Sequence, residues 1–158
     1  MKGEVFSINI SWEKGRKKYP IKEAYLKKNY GVLGDCHAGK GEREVSLLPW
    51  EKMEEMKQIP CPRLKGAIVP GVFAENITTK GFPLHLLKLG DYLKIGEAVV
   101  KVIARGKKCH SFCEIARIIG KCIMPDEGVF AKVVKGGWVK VGDKIEKVKY
   151  DESEGTGD

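Results

Sequence analysis

"LKLGDYLKIGEAVVKVIAR", residues 87–105, alternates apolar and polar residues around a Gly-Asp pair and then runs into a β-branched segment. A near copy of its first half, "VKVGDKIEKV", returns at 139–148, and in each copy the Gly-Asp pair stands between Leu- or Val-rich runs, the short-range signal for a hairpin. The same two-residue period appears in "EVFSINIS" (4–11), "EAYLKKNYG" (23–31), "REVSLLP" (43–49), "AENITT" (74–79), "GVFAKVVKGG" (128–137) and "DKIEKV" (143–148). Runs of this kind, ending at Gly, Asp or Pro, are expected as half-buried antiparallel strands joined by turns. So many short strands have unpaired edges to dispose of, and a barrel or closed sheet is the natural way to do it. The fold class expected is mainly β with a few short helices. "PWEKMEEMKQI" (49–59) opens on a proline suited to a first helical turn and sets Trp50, Met53 and Met56 at intervals of three. "SFCEIARIIG" (111–120) sets Phe112, Ile115, Ala116 and Ile119 on one face, with Ser111 as N-cap and Gly120 as the stop.

With 158 residues and 42% hydrophobic content, one core is expected, spanning residues 1–150 as a single domain. The last eight residues, "DESEGTGD", hold four of the 21 acidic groups and none of the 29 basic ones, so residues 1–150 carry +12 against +8 for the whole chain. That polar, glycine-bearing tail, 151–158, is expected to be disordered. No secretory layout opens the sequence and no apolar run is long enough to span a bilayer, so a cytoplasmic protein with no membrane partner is expected. Five cysteines, an odd number and unevenly clustered, then read as reduced thiols rather than a disulfide framework. The basic body fits a phosphate-rich partner or an anionic cofactor; a heat-adapted surface, with three Asn and one Gln, explains the charge equally well. Nucleic acid is disfavoured, because the 8% aromatic content is scattered rather than interleaved with basic residues.

Three of the cysteines fall in "GKKCHSFCEIARIIGKCIMP" (106–125). Cys109 sits at the turn before the expected helix, where the helix dipole and Lys107 and Lys108 favour a thiolate, the form that attacks electrophiles and binds soft metals. Cys113 follows one helical turn on and is placed to serve as a second ligand or resolving thiol. Cys122 comes after a loop. A structural metal site remains open at Cys109, Cys113 and Cys122, although the C-x3-C-x8-C spacing lacks the paired C-x2-C of strong zinc signals, and plain burial of the thiols remains open too. A second constellation, "GVLGDCHAGKGEREVSL" (31–47), combines four glycines with Asp35, His37 and Arg43, and is not a phosphate-binding P-loop because no Gly-Lys-Ser/Thr follows at the required spacing. A third, "PGVFAENITTKG" (70–81), places Glu75 and Asn76 between apolar residues, facing either solvent or a pocket.

In this order, these segments with "GVFAKVVKGGWVKVGDKI" (128–145) closely resemble the MOSC domain, the module named after the C-terminal part of molybdenum cofactor sulfurase, over roughly residues 4–148. The chain resembles the small stand-alone prokaryotic members. The resemblance implies a MOSC-type β-barrel, a pocket associated with the molybdenum cofactor (molybdopterin with molybdenum or tungsten), and a central cysteine, matched in position by Cys109. It also carries Asp35, His37, Gly39 and Arg43 onto the family's Gly-Asp-x-His-x-Gly and Arg positions, and Glu75 and Asn76 onto its Glu-Asn pair. Lys108 stands where the family often has proline, and Cys113 and Cys122 are additions to the general pattern. Pyridoxal phosphate belongs to larger relatives with a fused desulfurase domain and is not expected on this chain.

Two chemistries follow from the resemblance. In sulfur transfer, Cys109 accepts sulfur as a persulfide from a separate cysteine desulfurase and delivers it to the cofactor or a molybdoenzyme, with Cys113 resolving by thiol exchange. In reduction of N-hydroxylated substrates, Cys109 is a molybdenum ligand, His37 or Glu75 handles protons, and an electron-donor protein is needed. A non-catalytic cofactor carrier is the third reading. In each, Arg43, Lys107 and Lys108 neutralise the anionic cofactor.

Overall fold

The computed structural model describes residues 2–12, 18–57, 68–106 and 127–154. In chain order these form β1 (Lys2–Ile10), β2 (Tyr19–Ile21), β3 (Glu23–Lys27), β4 (Gly31–Val32), β5 (Val45–Pro49), α1 (Trp50–Lys57), β6 (Ile77–Lys80), β7 (Tyr92–Ile95), β8 (Ala98–Arg105), β9 (Val129–Lys135), β10 (Gly137–Lys140) and β11 (Lys144–Val148), with single helical turns at Leu84–Leu86 and Glu152–Glu154. The order β11-β7-β8-β9-β5-β6-β1 closes on itself because β1 also pairs with β11, giving a seven-stranded barrel with β2 added along β1. A small second sheet, β10-β3-β4, lies outside the ring. The mainly β, barrel-type fold expected from the two-residue period is the fold observed.

Alternation explains the barrel core. Val129, Ala131 and Val133 of β9, Val100 and Val102 of β8, and Leu47 of β5 join Val5, Ile8, Ile77, Leu93 and Ile145 in one buried cluster. The opposite faces of β5 and β9 are not left to water. Leu48 and Phe130 join Trp50, Met53 and Met56 of α1 and Ile68, Val72 and Phe73 in a second cluster. β5 is therefore buried at all five residues, not half-buried as the period alone predicts, because α1 and the 68–73 loop cover its outer face. Its pairing with β6 is parallel, since the chain crosses over through α1 before returning. The helix begins one residue later than expected: Pro49 is the last residue of β5, while Trp50, Met53 and Met56 form the anticipated buried face.

The two Gly-Asp copies make the same turn and neither makes a hairpin. Lys88 N–H donates to Asp91 Oδ2 at 2.9 Å and Asp91 N–H to the Lys88 carbonyl at 3.0 Å; Lys140 and Asp143 repeat the pattern at 2.8 and 3.0 Å. The first copy has no strand before it, and in the second the chain changes sheets: β10 pairs with β3, whereas β11 pairs with β7 and β1. The hairpin in this region is instead β7–β8, turning at Gly96 and Glu97. At the C-terminus, residues 151–154 are placed, with the Tyr92 hydroxyl donating to Glu152 Oε2 at 2.5 Å and Lys101 pairing with the same oxygen at 3.5 Å; 155–158 lie outside the described residues. Among the described residues, no helix is long and apolar enough to cross a membrane.

Candidate functional site

The glycine-rich loop after β4 returns to the end of β1. Cys36 N–H donates to the Ser11 carbonyl at 2.8 Å, and Ser11 N–H donates to Asp35 Oδ1 at 3.0 Å. Asp35 Oδ2 accepts the backbone N–H of His37 at 3.2 Å, so the carboxylate is held by the main chain on both oxygens. Gly39 makes this return possible. Its φ is +74°, its N–H donates to the Tyr30 carbonyl at 2.8 Å, and a Cβ there would meet the Tyr30 ring at 2.8 Å.

Into this loop reaches Lys18, a residue the sequence gives no reason to single out. Its Nζ lies 2.5 Å from Asp35 Oδ1, 3.0 Å from His37 Nδ1 and 3.9 Å from Cys36 Sγ, and the side chains of Lys18 and Asp35 are both fully buried. Burial alone would push the Asp35 carboxyl up. Hydrogen bonding from His37 and Lys18, the Lys18 charge and the Asn76 amide outweigh it and hold Asp35 well below the usual carboxylate range. His37 and Cys36 lie above this ion pair and are each partly exposed, the His37 side chain at 31%. His37 Nδ1 is also 3.5 Å from Cys36 Sγ, so one ring nitrogen is shared between an ammonium and a thiol.

The ligand atoms of Asp35, Cys36 and His37 lie within 4.8 Å of one another, a spacing that could hold a metal ion. The Lys18 ammonium already satisfies all three, using its three N–H donors on three acceptors. A cation there would have to expel a buried charge of its own sign. We therefore read the cluster as an ammonium-centred polar site rather than a metal centre.

Glu75 and Asn76 are buried and face neither solvent nor an open pocket. Glu75 Oε2 accepts Gly71 N–H at 3.0 Å and the Thr78 hydroxyl at 2.7 Å, and Oε1 accepts Phe73 N–H at 3.2 Å. Burial nevertheless raises its pKa above the ordinary value, the hydrogen bonds working against it. Asn76 Oδ1 accepts Ser46 N–H at 3.0 Å, its Nδ2 donates to the Asn9 carbonyl at 3.3 Å, and Asn9 Nδ2 donates to the Glu75 carbonyl at 3.2 Å and to Thr78 Oγ1 at 3.1 Å. The pair thus ties β1, β5 and the entry to β6 together. It also reaches the loop cluster through one backbone link: Lys18 N–H donates to the Gly71 carbonyl at 2.7 Å, and Gly71 N–H donates to Glu75. Two segments about 40 residues apart in sequence are one network.

Arg43 is exposed, with its guanidinium 5.0 Å from the centre of the Phe130 ring. Phe130 stands on β9 near its start, on the flank where β8 ends at Arg105. Lys107, Lys108, Cys109, Cys113 and Cys122, with the helix expected at 111–120, lie outside the described residues. Lys18 and Cys36 are the site residues that sequence reading missed. Cys36 was visible inside the Gly-Asp-x-His motif, but Lys18 sits in "SWEKGRKKYP" (11–20), where one lysine among four basic residues reads as surface.

A model of the MOSC domain matches residues 34–146. No curated protein matches the chain. Among solved structures, the YuaD protein from Bacillus subtilis is similar over 96% of this chain and 98% of its own, at 20% identity and a TM-score of 0.76. YiiM from Escherichia coli matches over 96% of this chain and 71% of its own, at 19% identity and 0.70. YiiM from Geobacillus stearothermophilus matches over 93% and 75%, at 20% identity and 0.67. At these identities the likeness establishes the fold.

Proposed function

The chain belongs to the MOSC domain family, and from that premise we propose that it handles the molybdenum cofactor and carries sulfur for it as a cysteine persulfide, with Cys109 as the sulfur-bearing thiol. The family is associated with that cofactor. The observation that carries the reading is the cluster built on the Gly-Asp-x-His-x-Gly motif, in which a buried Lys18–Asp35 pair fixes a partly exposed imidazole and thiol.

The donor set fits the group. The cofactor is a pterin bearing phosphate and dithiolene, anionic overall, and residues 1–150 carry +12. Arg43 would neutralise its phosphate through an exposed guanidinium, and His37 would hydrogen-bond to it. When bound, the group supplies a molybdenum or tungsten centre with soft sulfur ligands. Asp35, fully buried, acts by positioning: it holds the loop backbone at Ser11 and His37 and anchors Lys18. Glu75 and Asn76 act the same way one layer further in, shaping the 70–78 turn against which Lys18 is fixed. The partners this chemistry needs are a cysteine desulfurase as sulfur donor and a molybdoenzyme as acceptor.

The test is to incubate anaerobic protein with a cysteine desulfurase and cysteine, then map persulfides by peptide mass spectrometry. The reading expects Cys109 to gain one sulfur and Cys109→Ser to lose that signal while staying folded. An unmodified Cys109 in wild-type protein would remove sulfur carriage from the account.

A further inference from the structure

Cys36 is the one thiol whose surroundings the structure describes. It is not the cysteine at the family's central position, yet it has neighbours suited to sulfur chemistry. His37 Nδ1 lies 3.5 Å from its sulfur, Lys18 Nζ lies 3.9 Å away, and Asp35 beneath pins the lysine. The thiol is partly exposed while the ion pair under it is fully buried. A partly exposed residue thus stands over charged groups that are fixed beneath it. A buried lysine normally needs a carboxylate partner and has one in Asp35; here it also spends its remaining donors on a thiol and an imidazole at the surface.

We propose that Cys36 is a second sulfur-accepting thiol, taking sulfane sulfur from a persulfide donor R–S–S–H. The inference deepens the sulfur-carrying reading and rests on it. In the step, the Cys36 thiol gives its proton to solvent water, and the sulfur, facing the Lys18 ammonium, attacks the terminal sulfur of the donor. The new bond is Cys36 Sγ–S. The donor S–S bond breaks, its electron pair leaves with R–S⁻, and that leaving thiolate takes a proton from solvent water. The sulfane sulfur keeps its oxidation state, so the exchange needs no oxidant or reductant. Lys18 faces the reacting sulfur, and His37 and Asp35 are positioning residues that hold its ammonium there.

The experiment uses full-length protein with glutathione persulfide as the probe, without oxygen, followed by timed alkylation and peptide mass spectrometry at each cysteine. The wild type is expected to gain one sulfur at Cys36. His37→Gln is expected to slow that gain relative to the wild type, because the Lys18 ammonium loses the imidazole that helps hold it beside the sulfur. Glutamine at 37 keeps the backbone N–H that holds Asp35 Oδ2, so the loop anchor survives the substitution; circular dichroism checks the fold. Sulfur on Cys109 but not on Cys36 overturns this inference and leaves the sulfur-carrying reading standing. Sulfur on neither overturns both. Equal Cys36 rates in wild type and His37→Gln overturn the role of His37, and a Cys36 rate in folded protein no faster than in urea-unfolded protein overturns the site itself.

Discussion

Lys18 Nζ and Asp35 Oδ1 meet at 2.5 Å with both side chains shut off from solvent, and with the Ser11 hydrogen bonds this contact joins the stretch between β1 and β2 to the glycine-rich loop that carries Cys36 and His37. A buried pair adds little over an apolar pair of the same shape, but breaking it leaves an uncompensated charge. Lys18→Met and Asp35→Asn are each expected to lower stability by about 3–5 kcal/mol. The double variant should cost less than the sum by at least ~1 kcal/mol. Urea denaturation of the four proteins measures this, and strict additivity would mean that the contact is energetically idle.

The pH dependence follows from the same pair. Folding holds the Asp35 carboxyl below its unfolded value of about 3.9, so its contribution to stability is fully present above that pH and is lost as pH falls through the folded value. Wild-type stability should therefore fall more steeply below about pH 4 than that of Asp35→Asn. Parallel profiles for the two proteins would contradict this.

Glu75 has the opposite sign. Burial holds its carboxyl above the ordinary value, so the folded state binds that proton more tightly than the unfolded chain does, and the contribution weakens as pH rises past the unfolded value of about 4.3. Glu75→Gln should flatten that part of the profile. It should also lower stability by roughly 1–3 kcal/mol, because the carboxylate accepts from Gly71, Phe73 and Thr78, and a glutamine turns an N–H2 toward at least one of those donors. Unchanged stability in thermal or urea unfolding would show that the turn does not depend on it.

Gly71 is confined by its φ of +91° and by the Lys18 carbonyl, which a Cβ would approach to 2.3 Å. Since that atom is backbone, relief requires moving the chain that carries Lys18. Gly71→Ala is expected to cost about 1–3 kcal/mol from the backbone conformation alone, with more from the clash, and to slow sulfur uptake at Cys36. A variant as stable as the wild type would mean that the segment carrying Lys18 is free to shift.

The mainly β fold was legible because β3, β7 and β10 keep a clear two-residue period, and because the repeated Lys-x-Gly-Asp gives a turn by local hydrogen bonds alone. Which strands flank that turn was not legible. The departure of β10 to pair with β3 is a tertiary choice that leaves no mark on residues 139–148. The double burial of β5 was hidden for the same reason, since its outer cover comes from α1 and residues 68–73. In the site, Asp35 and His37 stood out by motif, and Glu75 and Asn76 by their apolar neighbours. Lys18 did not, because a lysine shows itself as buried only through its partner, here 17 residues away in sequence.

The most direct test of the central claim, that this is a molybdenum-cofactor protein, is elemental analysis with pterin fluorescence on protein purified without oxygen from a host able to make the cofactor. The account predicts molybdenum or tungsten together with pterin, approaching one of each per chain, and a clear loss of both in an Arg43→Ala, His37→Gln double variant that remains folded. Protein from that host carrying zinc or iron without pterin, or no metal and no pterin at all, would contradict it.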